Sequence, residues 1–208
     1  WFVTDDAFIS FRYSRNLAMG LGLRYNMGEN PPVEGYSNFL WVLVGAVFEY
    51  LHMDVTFWVP LLSTLCGSIL LLLIFDLLHR RMGVQILATA IATLSLGLYP
   101  PFALWSSSGL ETVPFALFTY LTFERLILRK DNMDPFGAAL FAMLTVLVRA
   151  EGFAWVGVIT LMAVGSRWMA GQLRSKPFIL YTILVAAGML LYFGWRYSYY
   201  HSLLPNTA

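Results

Sequence analysis

Long apolar runs separated by short polar clusters dominate the chain, and the runs have the length of membrane-crossing helices. A helix needs roughly 20 apolar residues to cross the hydrocarbon of a bilayer. Residues 55–75 carry no charge and are followed by Asp76 and then His79-Arg80-Arg81. Residues 83–110 are also uncharged, and Pro100-Pro101 breaks that run after one crossing. Residues 110–128 predict a return, with Glu124 and Arg125 near the far end, where long side chains reach polar surroundings. Residues 177–195 predict a last span. Between them lie two shorter runs, 136–148 and 152–166, divided by Arg149-Ala150-Glu151. The pattern fits two short spans as well as a hairpin that dips partway. Residues 38–51 are apolar, but only about fourteen residues long, and they hold Glu49, which predicts a helix lying along the interface. Ahead of it, the stretch around Asp5 to Tyr13 predicts a short helix, and the loop from Gly20 to Ser37 is too long for a mere connector.

Composition narrows the class. The chain is 59% hydrophobic, 16% aromatic and 12% charged, with a mean hydropathy of +0.67, against roughly 25% charged residues in an ordinary soluble domain. These values predict an integral membrane protein; with the pattern of runs and the charge asymmetry below, the expected fold is an all-α, polytopic transmembrane helical bundle with an extracytoplasmic first loop containing amphipathic juxtamembrane helices. A net charge of +1 argues against a nucleic-acid partner, which needs a basic surface. Cys66 stands alone inside an apolar run, so disulfides and thiolate metal sites are excluded. His52, His79 and His201 are too scattered for a metal site. Orientation follows from charge. If 38–51 does not cross, one face holds Arg80, Arg81, Arg125, Arg129, Lys130, Arg167, Arg174 and Lys176. The other holds Arg12, Arg15, Arg24, Arg149 and Arg196 with most of the acids. The positive-inside rule then places Asp5-Asp6 outside the cytoplasm. An outside start requires a further span before Trp1, so residues 1–208 are expected to be one module of a longer membrane protein.

Four unusual polar segments share that outer face: Asp5-Asp6, residues 105–112 around Glu111, Arg149-Ala150-Glu151-Gly152, and Leu204-Pro205-Asn206-Thr207. Acids beside hydrocarbon are costly and are commonly retained for ion or substrate chemistry. The loop adds Tyr36 and Asn38, whose aromatic and amide groups suit a sugar or a phosphate. Structural readings stand beside these. Thr4 can cap a helix whose dipole the aspartates complement, Glu111 can serve a helix start, and Arg149 with Glu151 can form a tight turn. Trp41, Tyr99, Trp105, Trp195, Tyr197, Tyr199 and Tyr200 read as an interfacial aromatic belt without a catalytic role. Ser106–Ser108 has no histidine arranged as a triad partner, which argues against a serine hydrolase.

Five segments in order carry a resemblance: Asp5-Asp6-Ala7-Phe8-Ile9-Ser10-Phe11-Arg12-Tyr13, Val33-Glu34-Gly35-Tyr36-Ser37-Asn38-Phe39-Leu40-Trp41, Gly109-Leu110-Glu111-Thr112, Arg149-Ala150-Glu151-Gly152 and Leu204-Pro205-Asn206-Thr207. The chain resembles the GT-C glycosyltransferases, and within them it is similar to the terminal arabinofuranosyltransferases of mycobacterial cell-wall assembly. The resemblance implies a multi-pass enzyme of the bacterial plasma membrane with its active site on the extracytoplasmic face. The implied substrates are a polyprenyl-phosphate-linked sugar donor and a glycan or lipid acceptor, with membrane lipids around them. It implies an inverting transfer in which Asp5 is the general base and Asp6 its partner in positioning acceptor or metal. Arg149, with Arg12 second, binds the departing phosphate. Glu111 positions the acceptor or joins an aspartate in holding a divalent cation, the metal dependence being open. Glu151 holds Arg149 when the site is empty, and Tyr36, Asn38 and Asn206 complete the substrate-binding set. A polytopic transporter and a non-catalytic lipid-binding subunit remain alternatives; neither accounts for Asp5-Asp6 as directly.

Overall fold

The computed structural model describes residues 3–28, 31–129 and 132–202. Among them there is no strand; the fold is all-α. In the described residues nine α-helices follow one another: α1 Asp5–Ala18, α2 Phe39–Tyr50, α3 Val55–Asp76, α4 Ile86–Gly97, α5 Pro100–Ser107, α6 Thr112–Phe123, α7 Pro135–Val148, α8 Gly152–Met169 and α9 Lys176–Tyr200. Their limits follow from local chemistry. The Asp54 side chain accepts from Thr56 N at 2.9 Å to start α3, and Asp134 accepts from Phe136 N at 3.1 Å to start α7. Prolines sit in the first turn of α5, α7 and α9, where their missing N–H has no helical acceptor to lose.

Among the described residues, three helices are each long and apolar enough to cross a membrane: Val55–Arg81, Gly152–Met169 and Lys176–Tyr200. The first is α3 continued by a five-residue π turn, Leu77–Arg81. The expected crossing at 83–110 is a pair, α4 and α5, which together are long and apolar enough for one span but are bent by 58° at Leu98-Tyr99 ahead of the two prolines. The expected return at 110–128 is α6 plus a second π turn, Glu124–Leu128, a short helix with a buried carboxylate at its far end. The uncertain pair 136–148 and 152–166 resolves into a short α7 of 14 residues and a full-length α8 of 18. At 1.5 Å per residue, the 12 residues of α2 span only ~18 Å, too little for a crossing.

Helices α7, α8 and α9 share one apolar core built on Ala138, Ala142, Val146, Val156, Ile159, Tyr181 and Val185. The alanines keep α7 thin, so that α6 and α9 both reach it. Helices α1 and α2 run side by side in the same direction. Ser10 meets Asn38, and one turn later Ser14 Oγ donates to the Val42 carbonyl at 2.9 Å. Close approach is possible because Gly45 faces Ser14, whose hydroxyl occupies the space a Cβ would need. The bundle thus has two polar ends. One gathers the starts of α1, α2, α6 and α8 with the ends of α7 and α9; the other gathers both π turns with the starts of α7 and α9.

Candidate active site

The first polar end contains a cleft of about 510 Å³ lined by Asp6, Ser10, Asn38, Glu111, Thr112 and Arg149, with Trp105 and the 35–37 backbone at its edge. Each residue arrives from a different segment for a local reason. Asp6, Ile9 and Ser10 are three and four residues apart and so share one face of α1. Asn38, Glu111 and Glu151 are the capping residues that open α2, α6 and α8, yet none makes a side-chain cap to its own helix. Arg149 is the extended residue that ends α7, with φ −150° and ψ 143°. The site is therefore assembled from helix ends, the helix starts contributing free backbone N–H groups and the end of α7 free carbonyls.

A continuous polar chain crosses the cleft. The Asn38 carboxamide is bonded to Ser10 Oγ through Nδ2 at 2.9 Å and through Oδ1 at 3.1 Å. The same Nδ2 donates to Glu111 Oε2 at 2.8 Å. Glu111 Oε1 lies 3.7 Å from Arg149 Nη1, a loose ion pair, and Arg149 donates to Glu151 from Nε at 3.3 Å and from Nη2 at 3.1 Å. The guanidinium also lies 5.8 Å from the Phe115 ring centroid. Ser10, Asn38 and Glu111 are buried, whereas Arg149 is partly open and Glu151 is mostly exposed. Burial alone would raise the Glu151 carboxyl. Its own backbone N–H and the Arg149 guanidinium outweigh that, and its pKa falls below the usual range. Asp6 is exposed at the rim, with no ion pair or side-chain hydrogen bond among the described residues.

The loop that closes the cleft depends on Gly109. Its φ of +85° favours glycine, and a Cβ there would press on Val3 and Ala7 at 3.2 and 3.3 Å. Trp41 Nε1 donates to the Gly109 carbonyl at 2.9 Å, and Thr4 N donates to the Ser108 carbonyl at 3.1 Å, which docks the start of α1 on the same loop.

The expected site residues therefore divide. Asp6, Asn38, Glu111 and Arg149 line one cleft, with Glu151 bonded to Arg149. Asp5 is exposed and does not line it. Arg12 lies on a different face of α1, its guanidinium 4.3 Å from the Tyr25 ring centroid and its Nε donating to the Tyr25 carbonyl at 3.0 Å. Tyr36 borders the cleft, but its hydroxyl is turned to Tyr200 at 2.9 Å; burial, then the Tyr200 hydroxyl, pushes its pKa far up. Asn206 and the 204–207 segment, like Glu29 and Lys130, lie outside the described residues. The aromatic belt needs correction at two positions. Trp41 and Tyr200 are buried and hydrogen-bonded inside the polar end, since an indole N–H and a phenol both reach carbonyls there. Trp105 is partly exposed but lines the cleft. Ser10 was missed, although its spacing of four from Asp6 was a readable signal. Among the described residues, no three Asp, Glu, His or Cys side chains converge as a metal site.

Two curated proteins are similar to this chain over 99% of its length. One, from Corynebacterium glutamicum, is 30% identical, and the other, from Mycobacterium tuberculosis, is 28% identical. Both are named terminal beta-(1->2)-arabinofuranosyltransferase. The chain spans about a third of the length of these relatives, 32% and 34%. No family model matches the chain, and no solved structure matches it. The similarity thus covers the bundle and the cleft together.

Proposed function

We propose that the cleft is the catalytic site of a membrane glycosyltransferase of the GT-C type. It moves an arabinofuranosyl group from a polyprenyl-phosphate donor to a cell-envelope glycan acceptor on the extracytoplasmic face. The observation that carries the reading is the Ser10–Asn38–Glu111–Arg149 chain beside the unengaged carboxylate of Asp6 in one cleft. The names of the two relatives support the reaction class, and the basic residues at the opposite end of the bundle support the orientation.

In this reading Asp6 is the base, exchanging roles with Asp5, because Asp6 is the aspartate on the cleft wall. The acceptor oxygen attacks the anomeric carbon and gives its proton to the Asp6 carboxylate. The bond from that carbon to the phosphate oxygen breaks, and polyprenyl phosphate leaves with the electron pair. Glu111, held by Asn38 and loosely paired with Arg149, orients a sugar hydroxyl. Arg149 meets the growing phosphate charge with a planar fork of donors, helped by the helix starts around it. An apolar groove of about 530 Å³ between α6 and α8 begins at Phe115, directly beneath the Arg149 guanidinium. It offers the donor's hydrocarbon chain a path away from the head group.

The test uses the purified full-length protein with a polyprenyl-phosphate arabinofuranose and an arabinan oligosaccharide. New arabinosyl product should form. Asp6→Asn should lower turnover by about 10²–10⁴-fold, the range of general base catalysis, while Asp5→Asn stays within about tenfold of the parent. Absence of product, or a fully active Asp6→Asn, removes the assignment. Stereochemistry adds a second readout. Single displacement yields a β linkage only from an α-linked donor. A β-linked donor giving a β product would instead mean retention, by two displacements with a carboxylate as nucleophile or by attack on the face the phosphate leaves, and would remove the single inverting displacement.

A further inference from the structure

The sequence reading gave Glu34 and Arg196 no role, yet they form a buried ion pair 162 positions apart. Arg196 Nε donates to Glu34 Oε2 at 2.8 Å, and its Nη2 lies 2.7 Å from the same oxygen. Glu34 is 5% exposed and Arg196 3%. Burial pushes the Glu34 carboxyl up, and the guanidinium pulls it back. Two charges taken so far from water gain little net stability, because desolvation offsets most of their attraction. Such a pair is better explained by what it holds in place.

It holds the strap formed by residues 31–38. Residues 31–37 belong to no helix or strand, and Asn38 enters one only through its carbonyl, which accepts from Trp41 N and Val42 N at the start of α2. The strap's backbone is met instead by Tyr13, whose hydroxyl donates to the Val33 carbonyl at 2.8 Å and accepts from Gly35 N at 2.9 Å. Two side chains tie it to the end of α9. Glu34 takes Arg196, and Tyr36 takes Tyr200. The spacings match: two residues of extended chain advance ~6.6 Å, and four residues of helix rise ~6 Å. The strap therefore lies along the last turn of α9 with alternate side chains on that helix, while Gly35 and Ser37 line the cleft between them. The next residue is Asn38, whose carboxamide holds Glu111 at 2.8 Å.

We propose that Arg196 is a positioning residue for the cleft: through Glu34 it fixes the strap so that Asn38 delivers its carboxamide to Glu111. This rests on the reading of the cleft as a sugar-transfer site. It also joins that site to the membrane-spanning bundle, since α9 packs on α7 and α7 ends at Arg149. Displacement of the strap moves Asn38 and Ser37 together and loosens the acceptor side, leaving Arg149 where it is.

Single changes strand a buried charge and endanger folding, so the decisive variant removes both charges, Glu34→Gln with Arg196→Met, in the full-length protein. The expected result has four parts. The unfolding temperature stays within a few degrees of the parent. Amide hydrogen exchange of peptide 31–38 accelerates by about tenfold or more, as local opening does when anchors are lost. Turnover falls about tenfold to a hundredfold with donor KM unchanged, the scale of a small misplacement in an active site. In an Asn38→Ala background the same pair of changes causes no further loss, because both act through one residue. Arg196→Lys keeps the charge without the Nε hydrogen bond to Glu34 and should restore part of the turnover. Parental exchange in the strap overturns the proposal, as does a loss that adds in full to Asn38→Ala. A neutral pair that does not fold assigns the ion pair to stability and overturns it too. If the parent itself transfers no sugar, the reaction reading fails, and the exchange measurement alone decides whether Arg196 clasps the strap.

Discussion

Glu111 and Glu124 are both buried glutamates, one at each polar end of the bundle, and their partners differ. Glu124 has three arginines around it, and two of them make short contacts with one oxygen. Arg81 and Arg129 reach its Oε1 at 2.5 and 2.6 Å, and Arg125 lies 3.4 Å from its Oε2 while also pairing with Asp134 at 3.1 Å. Those arginines come from the two π turns and their flanks, so the cluster staples α3 to α6 where both helices end. Glu111 is undersubscribed. One amide donates to it at 2.8 Å, and its arginine stands off at 3.7 Å. A buried carboxylate whose charge is met by three arginines, two of them at short range, is already compensated within the protein. One that keeps a loose cation and an open lone pair is ready to exchange that cation's attention for a substrate. The same contrast separates the capping residues: Asp54 and Asp134 bond their own helices, whereas Asn38, Glu111 and Glu151 turn their side chains away from theirs.

The widest separation between the two ends should appear in accessibility. Cysteine at Ser107, beside the cleft, should react with a membrane-impermeant thiol reagent on intact cells, and cysteine at Asn132, beside the Glu124 cluster, should not. The reverse pattern inverts the orientation and puts the cleft on the cytoplasmic face. Next in size is the exchange of roles between the glutamates. Glu111→Gln should cut sugar transfer by about a hundredfold, with little change in melting temperature. Glu124→Gln should leave the rate near parental and cost about 2 kcal/mol of stability through the lost charge-assisted hydrogen bonds. Equal effects on rate would erase the distinction drawn here. The smallest effects concern Arg149. Its replacement by Ala should weaken donor binding by about tenfold, the value of one charge-assisted contact, and Arg149→Lys should recover only part of it. Glu151 titrates below its ordinary value of 4.5 in the folded protein. Its contribution to stability is therefore present above pH 4.5 and lost as the pH falls through the lower folded value. A melting difference between the parent and Glu151→Gln should be seen at neutral pH and vanish in that acid range. If Arg149→Ala binds donor normally but melts earlier, the Arg149–Glu151 pair belongs with the Glu124 cluster as a structural device.

Much of this molecule was legible one residue at a time. Apolar run length and the placement of Asp54, Pro100, Asp134 and Pro135 set most helix limits, because caps and prolines act through the backbone nearest them. Charge asymmetry marked the two ends, and the order of polar segments named Asp6, Asn38, Glu111 and Arg149 together. What escaped were relations between distant positions. Whether Asp5 or Asp6 faces the cleft depends on how α1 is rotated against α2, and Ser10, Ser14 and Gly45 decide that. Arg12 reads like a phosphate ligand in sequence but lies across α1 from Arg149. Trp41 and Tyr200 carry belt-like side chains, yet the packing of α2 and α9 draws both inside. The sequence by itself determined that the chain makes apolar helices with polar, chemically suited ends, since hydrophobic burial and helix capping are local demands. Only the tertiary structure decided which ends meet, because a 3.7 Å gap at Glu111 or a 2.8 Å clasp at Glu34 arises from packing between segments tens of residues apart.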